Sequence, residues 1–223
     1  MSAQSLIRTL DYAAVRKALD QHARYIDGLP GGQRANFAYA DLSNFALEGA
    51  ELSHAAMTGV RLSGALLTGA RMNGAVLYGA NLRDADVRRA AMVRADLRGA
   101  CLAGANLAGA DMADCDMREA LIAVQDLNDG FRILRHEGGG DGLAYAVGTG
   151  ANLTGAQMSD SAAIRTDLSD ANLAGACLTR ARMAHAVLDG ADLSGADVLN
   201  ANMTGASLRR ACLSAVDLED ADL

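Results

Sequence analysis

The chain has 223 residues, a formal net charge of −7 and an apolar fraction of 51%, yet aromatics supply only 4% and tryptophan is missing. Alanine closes that gap with 47 copies, so the interior is narrow or very regular rather than filled by large side chains. This composition excludes a disordered chain. It also excludes a membrane-spanning helix, because Asp, Asn or Arg interrupts every apolar run. The acidic balance, 27 acids against 20 bases, argues against direct binding to nucleic acid or to anionic membrane. Four cysteines (Cys101, Cys115, Cys177, Cys212) lack metal-type spacing, and the first residues lack a secretory apolar core. A reduced, cytoplasmic protein is the expectation.

Residues 1–34 carry no repeat and are expected to form an N-terminal cap. The stretch 11–26 predicts a helix with Asp11 or Thr9 as N-cap and Leu10, Ala14, Leu19, His22 and Ile26 on one face, stopped by Gly28 and Pro30. It reads either as a plug over the end of the domain that follows or as a partner-binding helix.

From Ala35 the chain divides every five residues without a break to Val124, giving 18 units that begin ANFAY, ADLSN, FALEG. The first position is Ala in 15 of them, and the third is Leu in 10 and Met in 5. A period of five is neither helical nor a simple strand alternation. First and third positions, two apart, point the same way in extended backbone and face inward. The polar second, fourth and fifth positions face water, and Gly fills the fifth in 9 of the 18 units, where a corner needs positive φ. Equal sides meeting at corners make a coil. The period alone does not distinguish three sides from four.

The pattern stops over 125–150. FRILR (131–135) and LAYAV (143–147) are strand-like, with a glycine-rich turn between them, so a β-hairpin is expected. QDLND (125–129) reads as a degenerate nineteenth unit before it. The insertion is either decoration at a corner or a recognition loop, for which Phe131, Arg132, Arg135, His136, Glu137, Asp141 and Tyr145 are the candidate residues. The repeat resumes over 151–223 with 14 further units, of which SAAIR (161–165) fits poorly, and a final ADL. An open last coil points to end-to-end self-association or to a chain cut from a longer one.

These tandem A(D/N)LxG units resemble those of the pentapeptide-repeat family. The resemblance implies an all-β solenoid, a right-handed quadrilateral parallel β-helix of about eight coils, roughly 40 Å long at ~4.8 Å per coil. It also implies 20 residues per coil, so that Asp96 and Arg98 stack on Asp116 and Arg118, and Asp189 on Arg209. Some members carry a helix with a His and an aromatic before a GG-x-RA segment; His22, Tyr25 and GGQRA match that pattern in type.

No enzyme signal emerges. His22, His54, His136 and His185 lack a nucleophile at meaningful spacing, and no glycine run forms a phosphate loop. His136, Glu137 and Asp141 make only a weak cation pattern, so no metal and no cofactor are expected. Cys115 is expected inside, with Cys101, Cys177 and Cys212 partly exposed at second positions.

A non-enzymatic scaffold binding a protein partner through its faces and the insertion is the first reading. The second takes its cue from the family's quinolone-resistance (Qnr-type) and gyrase-inhibitor members, whose resemblance implies a DNA mimic directed at DNA gyrase or topoisomerase IV. Charge weighs against global mimicry: duplex of about 40 Å carries about 23 charges. The first repeat block holds 10 acids and 8 bases, the second 10 and 5. Local mimicry rests on an acidic patch of Asp197, Asp217, Glu219, Asp220 and Asp222.

Overall fold

The computed structural model describes residues 7–119, 122–126, 130–134 and 142–223. The first elements are β1 (Arg8–Thr9) and helix α1 (Tyr12–Ile26). Asp11 caps the helix: its Oδ1 accepts the Ala14 N–H at 2.7 Å, one of the donors that a helix start leaves over. At the other end Gly28 takes φ +67°, and the Gly28 and Leu29 amides turn back to the Tyr25 and Arg24 carbonyls. This is a Schellman arrangement, and it stops the helix before Pro30.

The buried face of α1 runs through Val15 and His22, with Leu10, Ala18 and Leu19 partly covered. Ala14 and Ile26, expected on that face, are exposed. Ala14 lies about 100° of helix rotation from Val15, and Ile26 is the last helical residue, where the chain turns away. β1 pairs in parallel with β2 (Ala40–Asp41) on the first coil. Two residues are too few to show a period, so this strand was invisible in the sequence.

Beyond the cap the backbone turns a corner every five residues. The second residue of each unit bridges in parallel to the residue 20 positions on, as Asn36 to Ala56, Asp41 to Arg61, Ala46 to Leu66 and Glu51 to Arg71. Four five-residue sides therefore close each turn, and the chain is a right-handed quadrilateral β-helix. First and third residues point into the bore, where Ala95 and Leu97 or Ala110 and Met112 are buried. Alternating Ala with Leu or Met fills a square section of constant width, which explains why aromatics are scarce. Fourth and fifth residues form a turn of the type II kind, closed by the next amide, as Ala40 N to the Phe37 carbonyl at 2.9 Å. The fifth residue has positive φ whether it is Gly49 (+63°), Arg89 (+55°) or Arg94 (+57°). The coil thus holds ordinary side chains in a conformation that favours glycine.

The hydrogen bonds account for the Asp or Asn at second positions. In unit 80–84 the amides of Ala80, Asn81, Leu82 and Asp84 all reach backbone carbonyls. That leaves the fourth amide, and Arg83 N–H donates to Asn81 Oδ1 at 3.1 Å. The same Asx turn serves Ser43 from Asp41, Ala108 from Asn106 and Ala174 from Asn172. Polarity at this position therefore serves the backbone and not only the solvent.

Unit 161–165, the poorest match, is nevertheless regular: Ala162 bridges to Arg182, and Ala163 is buried in the place of Leu. Ser161 and Thr166 carry hydroxyls inward; Thr166 Oγ1 donates to the Leu143 carbonyl at 2.8 Å.

Across the insertion the ladder spacing rises from 20 to 41, as in Asp111 to Asn152 and Asp116 to Gln157. Twenty-one residues are thus added at one corner without interrupting the ladder. A hairpin is present, but its strands differ from those expected. β3 (Ile122–Asp126) pairs antiparallel with β4 (Gly130–Leu134), with Val124 opposite Arg132. Residues 122–124 therefore belong to the insertion and not to an eighteenth unit, and Gln125 and Asp126 belong to β3 and not to a nineteenth. LAYAV is coil rather than strand: Leu143 and Ala146 are buried, and Val147 bridges to Asn106 and Asp167. The coil already runs again at residue 142, not at 151. A glycine in a third position, Gly148, hid that unit; a Cβ there would lie 2.9 Å from Leu168 Cδ2, which occupies the space.

Candidate interaction surfaces

The bore is closed by packed side chains, and no group of three or more metal-ligating residues occurs among the described residues. No helix among them is long and apolar enough to cross a membrane. Chemistry is therefore confined to faces, corners and ends.

Of the candidate loop residues, Tyr145 has the clearest setting. It is a fifth residue with φ +59° and is 60% exposed. The Arg165 guanidinium, at the equivalent corner of the next coil, lies 6.0 Å from its ring centroid, within cation–π range. His185 continues the same corner one coil on, and Val147 is exposed beside it on the adjoining face. Phe131 and Arg132 lie on β4. Arg135, His136, Glu137 and Asp141 lie outside the described residues. Near the base of the insertion Arg182 Nη2 pairs with Glu119 Oε1 at 2.8 Å, joining residues 63 apart in sequence.

The acidic patch is only partly assembled. Asp197 bridges directly to Asp217, and Glu219 and Asp220 follow on the same side, whereas Asp222 stacks on Asn202 around the corner. Three of its carboxylates are also engaged. Asp197 accepts from the Leu199 amide and from Thr179 Oγ1, Asp217 from the Glu219 amide, and Asp222 from Thr204 Oγ1.

Elsewhere several acids are paired with arginines. Asp86 with Arg88, Asp96 with Arg98 and Asp116 with Arg118 each hold the guanidinium two residues on through two side-chain hydrogen bonds. Asp96 stacks on Asp116 as expected, and Arg98 also reaches Asp116 at 3.7 Å. The Arg88 hydrogen bonds hold the Asp86 carboxyl down to about 2. Asp189 instead takes the backbone N–H of Arg209 at 3.0 Å.

Cys115 faces the bore, and burial pushes its thiol up to about 12. Cys212 is exposed, and the hydroxyls of Ser194 and Ser214 draw its thiol below the ordinary value. Burial opposes ionisation of Cys177, but hydrogen bonds from Ser159 and Thr179 outweigh it and lower that thiol too. Cys101, expected to be partly exposed, is 4% exposed. Ala103 on the same side is equally covered, and an Arg83 guanidinium nitrogen lies 3.7 Å from the thiol sulfur.

A family model for pentapeptide repeats matches in overlapping copies over residues 33–121 and 149–223. The chain belongs to the pentapeptide-repeat family. Among solved pentapeptide-repeat structures it is similar to a trypsin-treated form of QnrB1, a plasmid-mediated fluoroquinolone resistance protein. That match has 19% identity over 80% of this chain and 76% of the other, with a TM-score of 0.53, a likeness of fold. It is similar also to HetL, a pentapeptide-repeat protein involved in heterocyst differentiation regulation from the cyanobacterium Nostoc sp. strain PCC 7120. Here identity is 26% over 95% of this chain and 96% of the other, with a TM-score of 0.37. A third, alr5209 from the same cyanobacterium, is 36% identical over 44% of this chain and 78% of its own, with a TM-score of 0.29. No curated protein sequence matches this chain.

Three features of this surface do not follow from the repeat pattern alone. They are the turn-capping role of the second-position Asp and Asn side chains, the covering of Cys101, and the place of Tyr145 on the rod rather than in the insertion. The first had a visible signal, since Asp and Asn recur at one offset where any polar residue would satisfy exposure alone.

Proposed function

We propose that this pentapeptide-repeat protein is a non-catalytic scaffold that binds another protein through the corner formed by Tyr145 and Arg165 and the neighbouring insertion. The observation that carries this reading is the exposure of Tyr145, 60%, in a molecule that buries most of its large apolar side chains. Tyr and Arg are both among the residue types enriched at the energetic centres of protein interfaces. Little side-chain entropy is lost when such a ring is covered. The test uses the purified chain as bait, with Tyr145→Ala and Arg165→Ala together as the comparison. Partners captured by the wild type and lost by the doubly substituted chain, at unchanged melting temperature, fit the reading. An identical partner set from both contradicts it.

A topoisomerase-directed DNA mimic is the second reading, and the stacked Asp197 and Asp217, with Glu219 and Asp220 beside them, favour it locally. Against it, Asp41, Asp86, Asp96 and Asp116 of the first repeat block are taken up by turn amides and arginines, which interrupts a continuous negative stripe. A gyrase supercoiling assay, with and without quinolone, separates the two. Inhibition or protection at micromolar protein supports mimicry, and neither effect discards it.

A further inference from the structure

His22 is fully buried between α1 and the first coil, and both of its ring nitrogens are committed. Nδ1 accepts the Ala35 N–H at 3.1 Å, and Nε2 faces the Ser53 carbonyl at 3.0 Å. Because Nδ1 accepts, Nε2 carries the hydrogen and donates, so the ring is neutral.

Both partners are backbone groups that a further coil would otherwise satisfy. Within the rod a first-residue amide donates to the preceding unit, as Ala55 N to the Leu52 carbonyl at 3.0 Å. A fourth-residue carbonyl accepts from the preceding coil, as the Asn73 carbonyl from His54 N at 2.9 Å. Ala35 opens the first unit and Ser53 lies on the first coil, so neither has that neighbour. One imidazole supplies the acceptor and the donor together.

We propose that His22 is a proton-sensitive latch whose protonation releases α1 and uncovers the end of the rod. An imidazolium has two N–H donors and no acceptor, so the charged ring sets its Nδ1–H against the Ala35 N–H and leaves that amide unsatisfied. The cost of a buried unmade hydrogen bond then falls on the junction between helix and coil. Release exposes Phe37 and Leu52 and the backbone edge of the first coil, a template for strand pairing.

The groups facing the ring are few. From the first coil Glu51 favours the charged form and His54 opposes it; from the connector Arg34 opposes it; from α1 the Tyr25 ring stacks at 5.9 Å. Glu51 is itself held by Arg71 and by the Ser53 amide. Burial dominates and lowers the pKa of His22 from 6.5. A base whose folded pKa is depressed adds stability that is complete above the unfolded value. That stability is lost as pH falls from there towards the folded value.

The experiment is amide hydrogen exchange across pH 7.5 to 5, corrected for intrinsic rates, on the wild type, His22→Gln and His54→Asn. The His22 ring is titrated by NMR in the wild type. The expected result is an opening constant for the α1 amides that rises by about tenfold per pH unit below 6.5, while the amides of Leu97 and Met112 do not change. His54→Asn keeps that slope and His22→Gln loses it, whether or not the glutamine holds the helix. A pH-independent α1 in the wild type, a slope retained in His22→Gln, or a His22 midpoint at or above 6.5 overturns the proposal.

Discussion

Asn152 Nδ2 donates to Asp111 Oδ1 at 2.9 Å although 41 residues separate them. They are neighbours in one column, and the backbone ladder runs through the same pair. The added chain therefore leaves and rejoins the rod at a corner while the coils above and below remain in register.

Deleting residues 121–141 joins Ala120 to Gly142 and restores a five-residue unit, AGLAY, with Leu143 at its inward third position. The expected outcome is a folded rod with its melting temperature within a few degrees of the wild type, because loop length changes closure entropy only slowly. Circular dichroism melts check this, and a chain that fails to fold shows that the insertion organises the coil.

Leu97 sits in the bore at 1% exposure. Leu97→Ala should cost about 3 kcal/mol, and Leu97→Asp should cost more, since it buries an unpaired carboxylate. Urea unfolding measures both. Equal stabilities for the aspartate variant and the wild type mean that position 97 does not face a dry core.

Asn106 Oδ1 accepts the otherwise unserved Ala108 amide at 3.1 Å. Asn106→Ala should lose about 1 kcal/mol, whereas Leu66→Asn, at an exposed second position, should be neutral or stabilising. The same urea series decides. A Leu66→Asn chain that loses as much as Asn106→Ala removes the turn-capping explanation.

The fold was legible because it repeats. One small and one large apolar residue at fixed spacing identify the bore, and glycines at the fifth position identify corners with positive φ, as at Gly49 and Gly69. What stayed hidden depended on non-periodic chain or on missing signals. Gly148 in a third position concealed a unit, and LAYAV, alternating at period two, imitated a strand. Arg8 and Thr9 pair with the first coil only because the helix folds back over it. Among the candidate residues, Tyr145 was expected in the insertion and lies instead at a corner of the coil. Asp197 and Asp217 do stack as the 20-residue repeat implies, but each accepts a backbone amide two residues on, a demand that their acidity alone does not reveal.

Thiol chemistry gives an independent check of this geometry. Native-state alkylation with iodoacetamide should label Cys212 first and Cys177 more slowly, and should leave Cys101 and Cys115 unmodified until the chain unfolds. Mass spectrometry reads the order. Early labelling of Cys101 means that its side of the rod is open in solution.

Recognition through a corner of a rigid rod is open to site-specific photocrosslinking in cells, with the photoreactive residue placed in turn at positions 145, 44 and 217. The expected result is a discrete adduct from position 145, abolished by Arg165→Glu, and none from position 44. Adducts from position 217 without any from 145 contradict it and move recognition to the acidic end.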